Sequence, residues 1–393
     1  MFPYLVKCED QTCNGHTYPG DMPHCPKCKA PREFASAAPV DHRFWTYDIE
    51  TYPGVFTMTL VHVNTGKLVR FQITPWQNDY DEMCRFLHGM GETGALGVGF
   101  NNNGFDYPVV HYALKNPGCT GQDIYDYAMS IIKSDSKFGI TIWERDQVFK
   151  QIDLFKICHF DNKARGTSLK ALEVAMHSDN VSDLPYPPGT VLTQEQVETV
   201  LIPYNDKDAI ETAKFLVRNL DKIEFREELT KKYGRDFMNH NDTKIGKDFF
   251  IMELEKSGVP CYGRDGNNRR YPLQTIREQI ALADVIFPTV CFERPEFNEI
   301  LEKFRSKTLK KAQLDDMTEG NLTTKGVFSG LQTIIEGFTY VYGVGGIHAS
   351  VESQIITSSD THQIVDIDVA SFYPNLAISN RLYPQHLSER FCD

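Results

Sequence analysis

The sequence predicts an α/β fold, a mixed five-stranded sheet flanked by helices. Short apolar runs of strand length recur between residues 44 and 155. Stretches with the apolar spacing of amphipathic helices lie between and after these runs. Hydrophobic residues make up 41% of the 393-residue chain and charged residues 24%, which is ordinary for a globular protein with two or three domains.

Three antiparallel strands are expected to open the sheet. The first covers residues 44–50, and the next two have apolar side chains at alternate positions over 56–60 and 69–73. Alternation of this kind turns one face of each strand toward the core. An Asn-Thr-Gly turn at 64–66 joins the second strand to the third, as expected in a hairpin.

The elements that follow supply the flanking helices and two more strands. A helix is predicted around residues 80–90, a buried strand at 95–100, and a further strand at 152–155. Asp106 stands where the next helix should begin. Ser168 is expected to cap a helix that has apolar residues on one face. Residues 208–229 have the pattern of a charged helix.

The second half of the chain is less regular. A connecting region is predicted to contain helices near residues 245–256, 273–283 and 295–311, the last opening with a proline at a first-turn position. A glycine-rich turn at 343–346 and a final strand at 363–369 follow. The predicted domains therefore cover residues 1–40, 41–225, 226–335 and 336–393.

Acidic residues occur at positions of these elements where a divalent ion could be held. Asp48 and Glu50 are two apart on a strand, so both point to the same face. Asp106 follows a strand and a turn, which can bring a third carboxylate to that face. Converging carboxylates are what a site with two divalent ions requires when it cleaves a phosphodiester. A lone D-x-E pair is usually a surface feature, so the prediction depends on the whole set.

A tyrosine and an aspartate complete this set. Tyr204 and Asp208 are four apart, so they are neighbours if the segment is helical. A phenol beside the acids can orient the attacking group. Asp206 competes with Asp208 as a ligand, but it would point elsewhere on the same helix.

The order and spacing of these residues resemble the proofreading domain of the DNA polymerases called family B. The segment at 47–51 resembles the D-x-E motif of that family, 99–106 resembles its N-x-x-G-F-D motif, and 204–208 resembles its Y-x-x-x-D motif. The resemblance covers roughly residues 40–215 and 340–393. It implies a ribonuclease-H-like fold and DEDDy 3′–5′ exonuclease activity on single-stranded DNA ends.

The resemblance also implies roles for individual residues. Tyr204 would position the nucleophile, and Asn101 and Phe105 would help to hold the 3′ end of the DNA. The ligands of two Mg²⁺ or Mn²⁺ ions would be Asp48, Glu50, Asp106 and Asp208.

A fourth segment, residues 368–374, is similar to the D-x-x-S-L-Y-P motif of the same family, with Phe372 where leucine is usual. By this resemblance Asp368 would bind a catalytic metal ion and Tyr373 would exclude ribonucleotides, with Ser371 also at the nucleotide. The segment at 342–348, which contains the glycine-rich turn, also looks like phage-type members of the family. A polymerase palm would therefore begin at about residue 336.

The chain departs from the family after Tyr373, because no lysine-rich nucleotide-binding helix and no second aspartate motif follow. DNA synthesis should fail without those groups. The expectation is the N-terminal part of a split or truncated phage polymerase, with primer–template DNA, a dNTP and a C-terminal polypeptide as partners. Two alternatives stay open: a stand-alone DEDDy exonuclease in DNA repair or degradation, and a zinc-bearing DNA-binding module with an inactive nuclease fold.

Four cysteines near the N-terminus predict a zinc ribbon. Cys8, Cys13, Cys25 and Cys28 have the spacing C-x4-C and C-x2-C, and the second pair contains the tight turn that a zinc knuckle needs. The first pair is wider than usual, so His16 or His24 could replace Cys13 as a ligand. Four ligands would close the site and make the zinc structural.

The net charge of −12 disfavours a protein that coats nucleic acid through bulk positive charge, although it allows a local basic groove. Two basic clusters, at 264–270 and 303–311, are either solvated faces or phosphate contacts. No apolar stretch long enough for a membrane span and no secretory signal are found. The six scattered cysteines suit a reducing compartment, so a cytoplasmic location is expected, in the bacterial host if the protein is phage-encoded.

Overall fold

The structure is a computed structural model that describes residues 4–134, 140–162, 164–310, 330–343, 346–351 and 353–393. The chain divides into two compact units, Met1–Asp248 and Phe249–Asp393. Among the described residues, no helix is long and apolar enough to cross a membrane.

The first unit opens with a small antiparallel sheet. Its strands are β1 (Leu5–Cys8), β2 (Thr17–Pro19) and β3 (Ala35–Ala37), in the order β2-β1-β3. The third strand consists of three small residues, Ala35, Ser36 and Ala37. Their backbone groups pair with β1, with Ala37 opposite Val6, so small side chains here serve a strand.

A five-stranded mixed sheet forms the centre of the first unit, as predicted. Its strands are β4 (Phe44–Tyr52), β5 (Val55–His62), β6 (Lys67–Ile73), β7 (Leu96–Gly99) and β8 (Lys150–Asp153). Their order is β6-β5-β4-β7-β8. The first three strands form the expected antiparallel meander, with Asp48 opposite Thr59. The last two lie parallel to β4, so its carboxyl end meets theirs at one edge of the sheet.

Helices cover both faces of this sheet. On one face lie α1 (Tyr80–Thr93), α2 (Asp106–Lys115) and α3 (Gly121–Lys133), which share a core with Tyr47 and Ile49 of the central strand. On the other face lie α4 (Leu154–Ile157) and α5 (Leu169–Ala175). A helical run continues through α6 (Gln194–Gln196), a π-helical turn (Val197–Leu201) and α7 (Ile202–Val217), and α8 (Leu220–Tyr233) follows.

The predicted helix over 208–229 is therefore two helices, and the first begins earlier than expected. The strand predicted over 152–155 is correct only to Asp153. The carboxylate of Asp153 accepts hydrogen bonds from the backbone of Phe155 and Lys156, which caps α4 and ends the strand. The predicted cap at Ser168 is confirmed, since its hydroxyl accepts from the backbone N–H of Ala171.

The second unit contains helices and strands that pair in small sheets. Helix α9 (Asp242–Lys256) spans the boundary and includes the predicted helix 245–256. In the described part of this unit the other α-helices are α10 (Leu282–Val285), α11 (Pro295–Arg305) and α12 (Phe372–Asn380). The strands are β9 (Tyr262–Arg264), β10 (Arg270–Pro272), β11 (Gln279–Ala281), β12 (Thr308–Lys310), β13 (Gln332–Ile335), β14 (Phe338–Gly343) and β15 (Gly346–Ser350).

Three predictions in this unit are wrong. Residues 273–283 are not a helix, because β11 pairs with β12 and only the short α10 follows. The helix predicted over 295–311 ends at Arg305, since the chain then enters that same strand pair. Residues 363–369 do not form a strand, because no strand in the described ranges pairs with their backbone. Within the glycine-rich turn at 343–346, residues 344 and 345 lie outside the described residues, as does the end of the basic cluster at 311.

Candidate metal sites

Three carboxylates from distant parts of the first unit converge on one point. Asp48 and Glu50 come from β4 and Asp208 comes from α7, and one ligand oxygen of each lies within 4.8 Å of the others. Helix α7 is held across this face of the sheet by a hydrogen bond of 2.9 Å from Thr46 Oγ1 to the carbonyl of Ala209. These three acids, the acidic cluster below, could hold a cation.

An asparagine orients one of these acids. Asn205 Nδ2 donates to Asp48 Oδ2 at 2.6 Å, and Thr57 Oγ1 donates to Asn205 Oδ1 at 3.2 Å. Asn205 is completely buried, so its amide is fixed. The sequence analysis did not find this residue. The signal was present, because Asn205 precedes Asp208 by three residues and so shares its side of the helix.

The fourth predicted ligand, Asp106, lies nearby but outside the set of atoms within 4.8 Å. It is buried at the start of α2, and its charge is among the causes that raise the pKa of both Asp48 and Glu50. Asp106 is therefore close enough to interact with the acidic cluster.

Another buried acid binds the backbone of the turn before Asp106. Asp153 accepts hydrogen bonds from the backbone N–H of Asn101 at 3.0 Å and of Asn103 at 3.2 Å. Asn101 adopts a left-handed backbone conformation with φ of 62° and its side chain is exposed. Phe105 is half-buried against the core. Both predicted DNA-contacting residues thus lie on the turn that leads to Asp106.

A lysine and a buried glutamate stand beside Asp208. Lys170 of α5 forms an ion pair with Asp208 and a second one, of 3.0 Å, with Glu173. The other oxygen of Glu173 lies 3.0 Å from Lys207 Nζ. The side chain of Glu173 has no exposed surface, so the two ammonium groups balance its charge. The sequence analysis missed Lys170 and Glu173, because a lysine three residues before a glutamate is a common surface pattern on helices.

Tyr204 lies over this lysine. The ammonium of Lys170 is 4.6 Å from the centre of the Tyr204 ring, which is within range for a cation–π contact. Burial, then the negative charges of Asp208 and Glu50, raises the pKa of Tyr204 far above its usual range, so the phenol keeps its proton. Asp206 points away, as expected, and accepts hydrogen bonds from Arg70 and Thr59.

The electrostatics of the acidic cluster favour the binding of a cation. Burial, followed by the charges of Asp208 and Asp106, raises the pKa of Glu50 from 4.5 to about 8. Burial is also the main reason that the pKa of Asp106 rises to about 7 and that of Asp48 rises well above its usual range. Oxygen ligands with this much mutual repulsion favour a hard divalent cation such as Mg²⁺ or Mn²⁺.

The four N-terminal cysteines form a second candidate metal site. The sulfur atoms of Cys8, Cys13, Cys25 and Cys28 all lie within 4.8 Å of one another. The distance from Cys8 to Cys28 is 3.6 Å and that from Cys13 to Cys25 is 3.5 Å. Tetrahedral zinc with bonds of about 2.3 Å would separate its sulfur ligands by about 3.8 Å. The set includes Cys13, so neither His16 nor His24 is needed to complete it.

The local backbone favours a thiolate at one of these cysteines. Burial opposes ionisation of Cys25, but hydrogen bonds from the backbone N–H groups of Cys28 and Lys27 outweigh it and lower the pKa to about 7. Burial raises the pKa of Cys13 to about 12 in the absence of a cation. A metal ion that binds thiolates would relieve this cost.

In the second unit the predicted nucleotide-binding residues are not part of a described cluster. Asp368 is exposed in a segment without regular secondary structure, and it belongs to neither group of possible ligands found in the described residues. Ser371 precedes α12 with a left-handed φ of 51°, and 72% of Tyr373 is exposed.

No model of a known protein family matches this chain, and no curated protein matches it either.

Proposed function

We propose that the first unit is a 3′–5′ DNA exonuclease that uses two divalent metal ions and acts on single-stranded ends. One observation carries the proposal. Asp208 lies about 160 residues after Asp48 and Glu50 in the sequence, yet the carboxylate oxygens of all three come within 4.8 Å of one another. The sheet order and the helices on its faces agree with a ribonuclease-H-like fold. We propose further that the chain is the N-terminal part of a family B DNA polymerase, which these features support.

Each residue would contribute one element of phosphodiester cleavage. Two ions, when bound, would supply stabilisation of the attacking and leaving oxygens. Asp48, Glu50 and Asp208 would hold them, with Asp106 as the fourth ligand. Asn205 keeps the carboxylate of Asp48 in place, because its amide has only one arrangement that satisfies both of its partners.

The residues around the cluster would hold the DNA end. Tyr204 keeps its phenolic proton and can orient the attacking water by hydrogen bonding. Asn101 exposes its side chain on the turn before Asp106, and Phe105 lies beside it with a ring on which a terminal base could stack. The turn is rigid because Asp153 binds its backbone.

Degradation of a 5′-labelled single strand tests this proposal. We expect Mg²⁺-dependent shortening from the 3′ end, and a loss of about 10³-fold or more in rate for Asp48→Asn or Asp208→Asn. Asp206→Asn is a matched control, since this acid lies on the same helix but is bound to Arg70. Equal rates for the Asp48 and Asp206 variants would contradict the proposal.

We propose further that the four cysteines hold a structural Zn²⁺. The separations between their sulfur atoms support this, as do the backbone hydrogen bonds to Cys25. Elemental analysis should find one zinc per chain, and Cys25→Ser should remove it. Zinc that survives this substitution would show that the metal is bound elsewhere.

DNA synthesis is the second candidate function. One observation favours it: the apolar side chains of Ile367, Val369 and Phe372, in the segment that resembles the polymerase motif, are 83%, 56% and 48% exposed. Such a segment would need another surface to bury it, which agrees with a palm that a second polypeptide completes. Primer extension by this chain alone should be absent, and extension by the purified chain would overturn this part of the proposal. A stand-alone exonuclease would give the same nuclease result but would gain no synthesis from any partner.

A further inference from the structure

Lys170 occupies a position that the proposed exonuclease reaction does not explain. Its ammonium forms an ion pair with Asp208, one of the three acids that could hold a cation. A lysine in that place competes with a metal ion for the same carboxylate. The reason for this ion pair has to lie in the charges of Lys170 and its neighbours.

A purely structural role does not account for Lys170. Glu173 is buried and needs a counter-charge, but Lys207 already lies 3.0 Å from one of its oxygens. Lys170 approaches the other oxygen and continues to Asp208. Glu173 thus acts as a fixed anchor that holds a second ammonium group at the edge of the acidic cluster.

The lysine is also placed to change partner. Its side chain is 21% exposed, whereas that of Asp208 is 9% exposed and that of Glu173 is fully buried. It is therefore the member of this group most accessible from solvent. A phosphate of an arriving DNA strand is a good acceptor for an ammonium group. Lys170 can reach such a phosphate by rotation of its long stem, while α5 and Glu173 stay in place.

We propose that Lys170 couples metal loading to substrate binding. It neutralises Asp208 before substrate arrives and moves to a phosphate of the DNA end when substrate binds, which frees Asp208 for a divalent ion. The proposal rests on the exonuclease function above. It assigns to Lys170 the control of when the site is completed, and to Glu173 the positioning of Lys170.

Direct measurement of Mn²⁺ binding tests the proposal without reliance on turnover. Titrations would use the full chain with its zinc retained, with and without a single-stranded oligonucleotide whose terminal linkages are phosphorothioates. Binding to an Asp48→Asn variant is subtracted, so that ions outside the acidic cluster do not count. Lys170→Met removes the charge and keeps the stem. Lys170→Gln keeps a hydrogen-bond donor and serves if the first variant does not fold.

Lys214→Met is the matched control. Lys214 is 26% exposed and pairs at 2.6 Å with Glu211, itself 4% exposed, so the control breaks a similar pair that does not involve the acidic cluster. We expect the Lys170 variants to bind Mn²⁺ about tenfold more tightly than the unchanged protein when DNA is absent. We expect DNA to strengthen Mn²⁺ binding about tenfold in the unchanged protein and in the control, and to have little effect in the Lys170 variants.

The outcomes separate this inference from the function on which it rests. If Mn²⁺ binds the acidic cluster but Lys170→Met leaves its affinity and the effect of DNA unchanged, the coupling role is wrong and the exonuclease proposal stands. If the unchanged protein and the Asp48→Asn variant bind Mn²⁺ equally, both proposals fail.

Discussion

Removing one charge from the acidic cluster should stabilise the metal-free protein. The variant is Glu50→Gln, which has nearly the same shape. Glu50 has a pKa of about 8 in the folded chain against 4.5 for an ordinary glutamate. Between these values the folded state binds more protons than the unfolded state, so stability falls as pH rises. From pH 4.5 to pH 7.5 the free energy of unfolding falls by at most about 1.36 kcal/mol per pH unit, which is about 4 kcal/mol in total.

The free energy of unfolding of Glu50→Gln should exceed that of the unchanged protein by about 2–4 kcal/mol. This gain stays within the limit above because the neighbouring acids share the same protons. It should disappear near pH 4.5, where glutamate is protonated in the folded state. Added Mg²⁺ should reverse the order of stabilities, since ligand binding stabilises only the protein that binds the ion tightly.

Tryptophan fluorescence is a suitable probe of thermal unfolding. All three tryptophans, Trp45, Trp76 and Trp143, belong to the first unit, so the second unit does not contribute to the signal. Both proteins would be dialysed free of Mg²⁺ and Mn²⁺ without a chelator, because a chelator would also remove zinc. Under these conditions the melting temperature of Glu50→Gln should be about 5–10 °C above that of the unchanged protein. Glu224→Gln, an exposed glutamate on α8, is the control. A metal-free variant that is no more stable than the unchanged protein at pH 7.5 would refute the reasoning.

Three further predictions concern the supports of the site. Asn205→Ala should lower the exonuclease rate about 10–100-fold in a steady-state assay, because the carboxylate of Asp48 loses its partner, and an unchanged rate would remove Asn205 from the site. Asp153→Ala should cost about 2–4 kcal/mol in urea unfolding, because it removes a buried acceptor and leaves the backbone N–H groups of Asn101 and Asn103 without this partner. Gly121→Ala should also destabilise the unit, because a methyl group there would lie 2.4 Å from the carbonyl oxygen of Gly54, and a melting curve that matches the unchanged protein would contradict that contact.

The sequence was sufficient for the sheet because its signals are local. The two-residue repeat of strand β4 means that Asp48 and Glu50 had to share one side of it. The spacing of Tyr204 and Asp208 was likewise informative once a helix was expected there. These inferences need only the repeat of a strand or a helix.

The residues that the sequence analysis missed depend on contacts between distant elements. Lys170 and Glu173 lie on a short helix whose pattern suits a solvent-exposed surface, and only the packing of α5 against α7 places them beside Asp208. Asp153 could be taken for the end of a strand, but its carboxylate binds a turn about fifty residues earlier. A strand was predicted over 363–369, although a strand forms only where a neighbour accepts its hydrogen bonds.

The acidic cluster has a cost in stability that the surrounding residues limit. Carboxylates that lie within 4.8 Å of one another repel, and burial strengthens the repulsion, so the metal-free unit has to hold them by other contacts. The amide of Asn205 and the ammonium of Lys170 each bind one of these acids from the side. In the described part of the chain, no side chain donates a hydrogen bond to Glu50 or forms an ion pair with it. The largest gain in the stability of the metal-free protein is therefore expected from substitution of Glu50. The acid with the fewest protein contacts should therefore depend most on the bound ion.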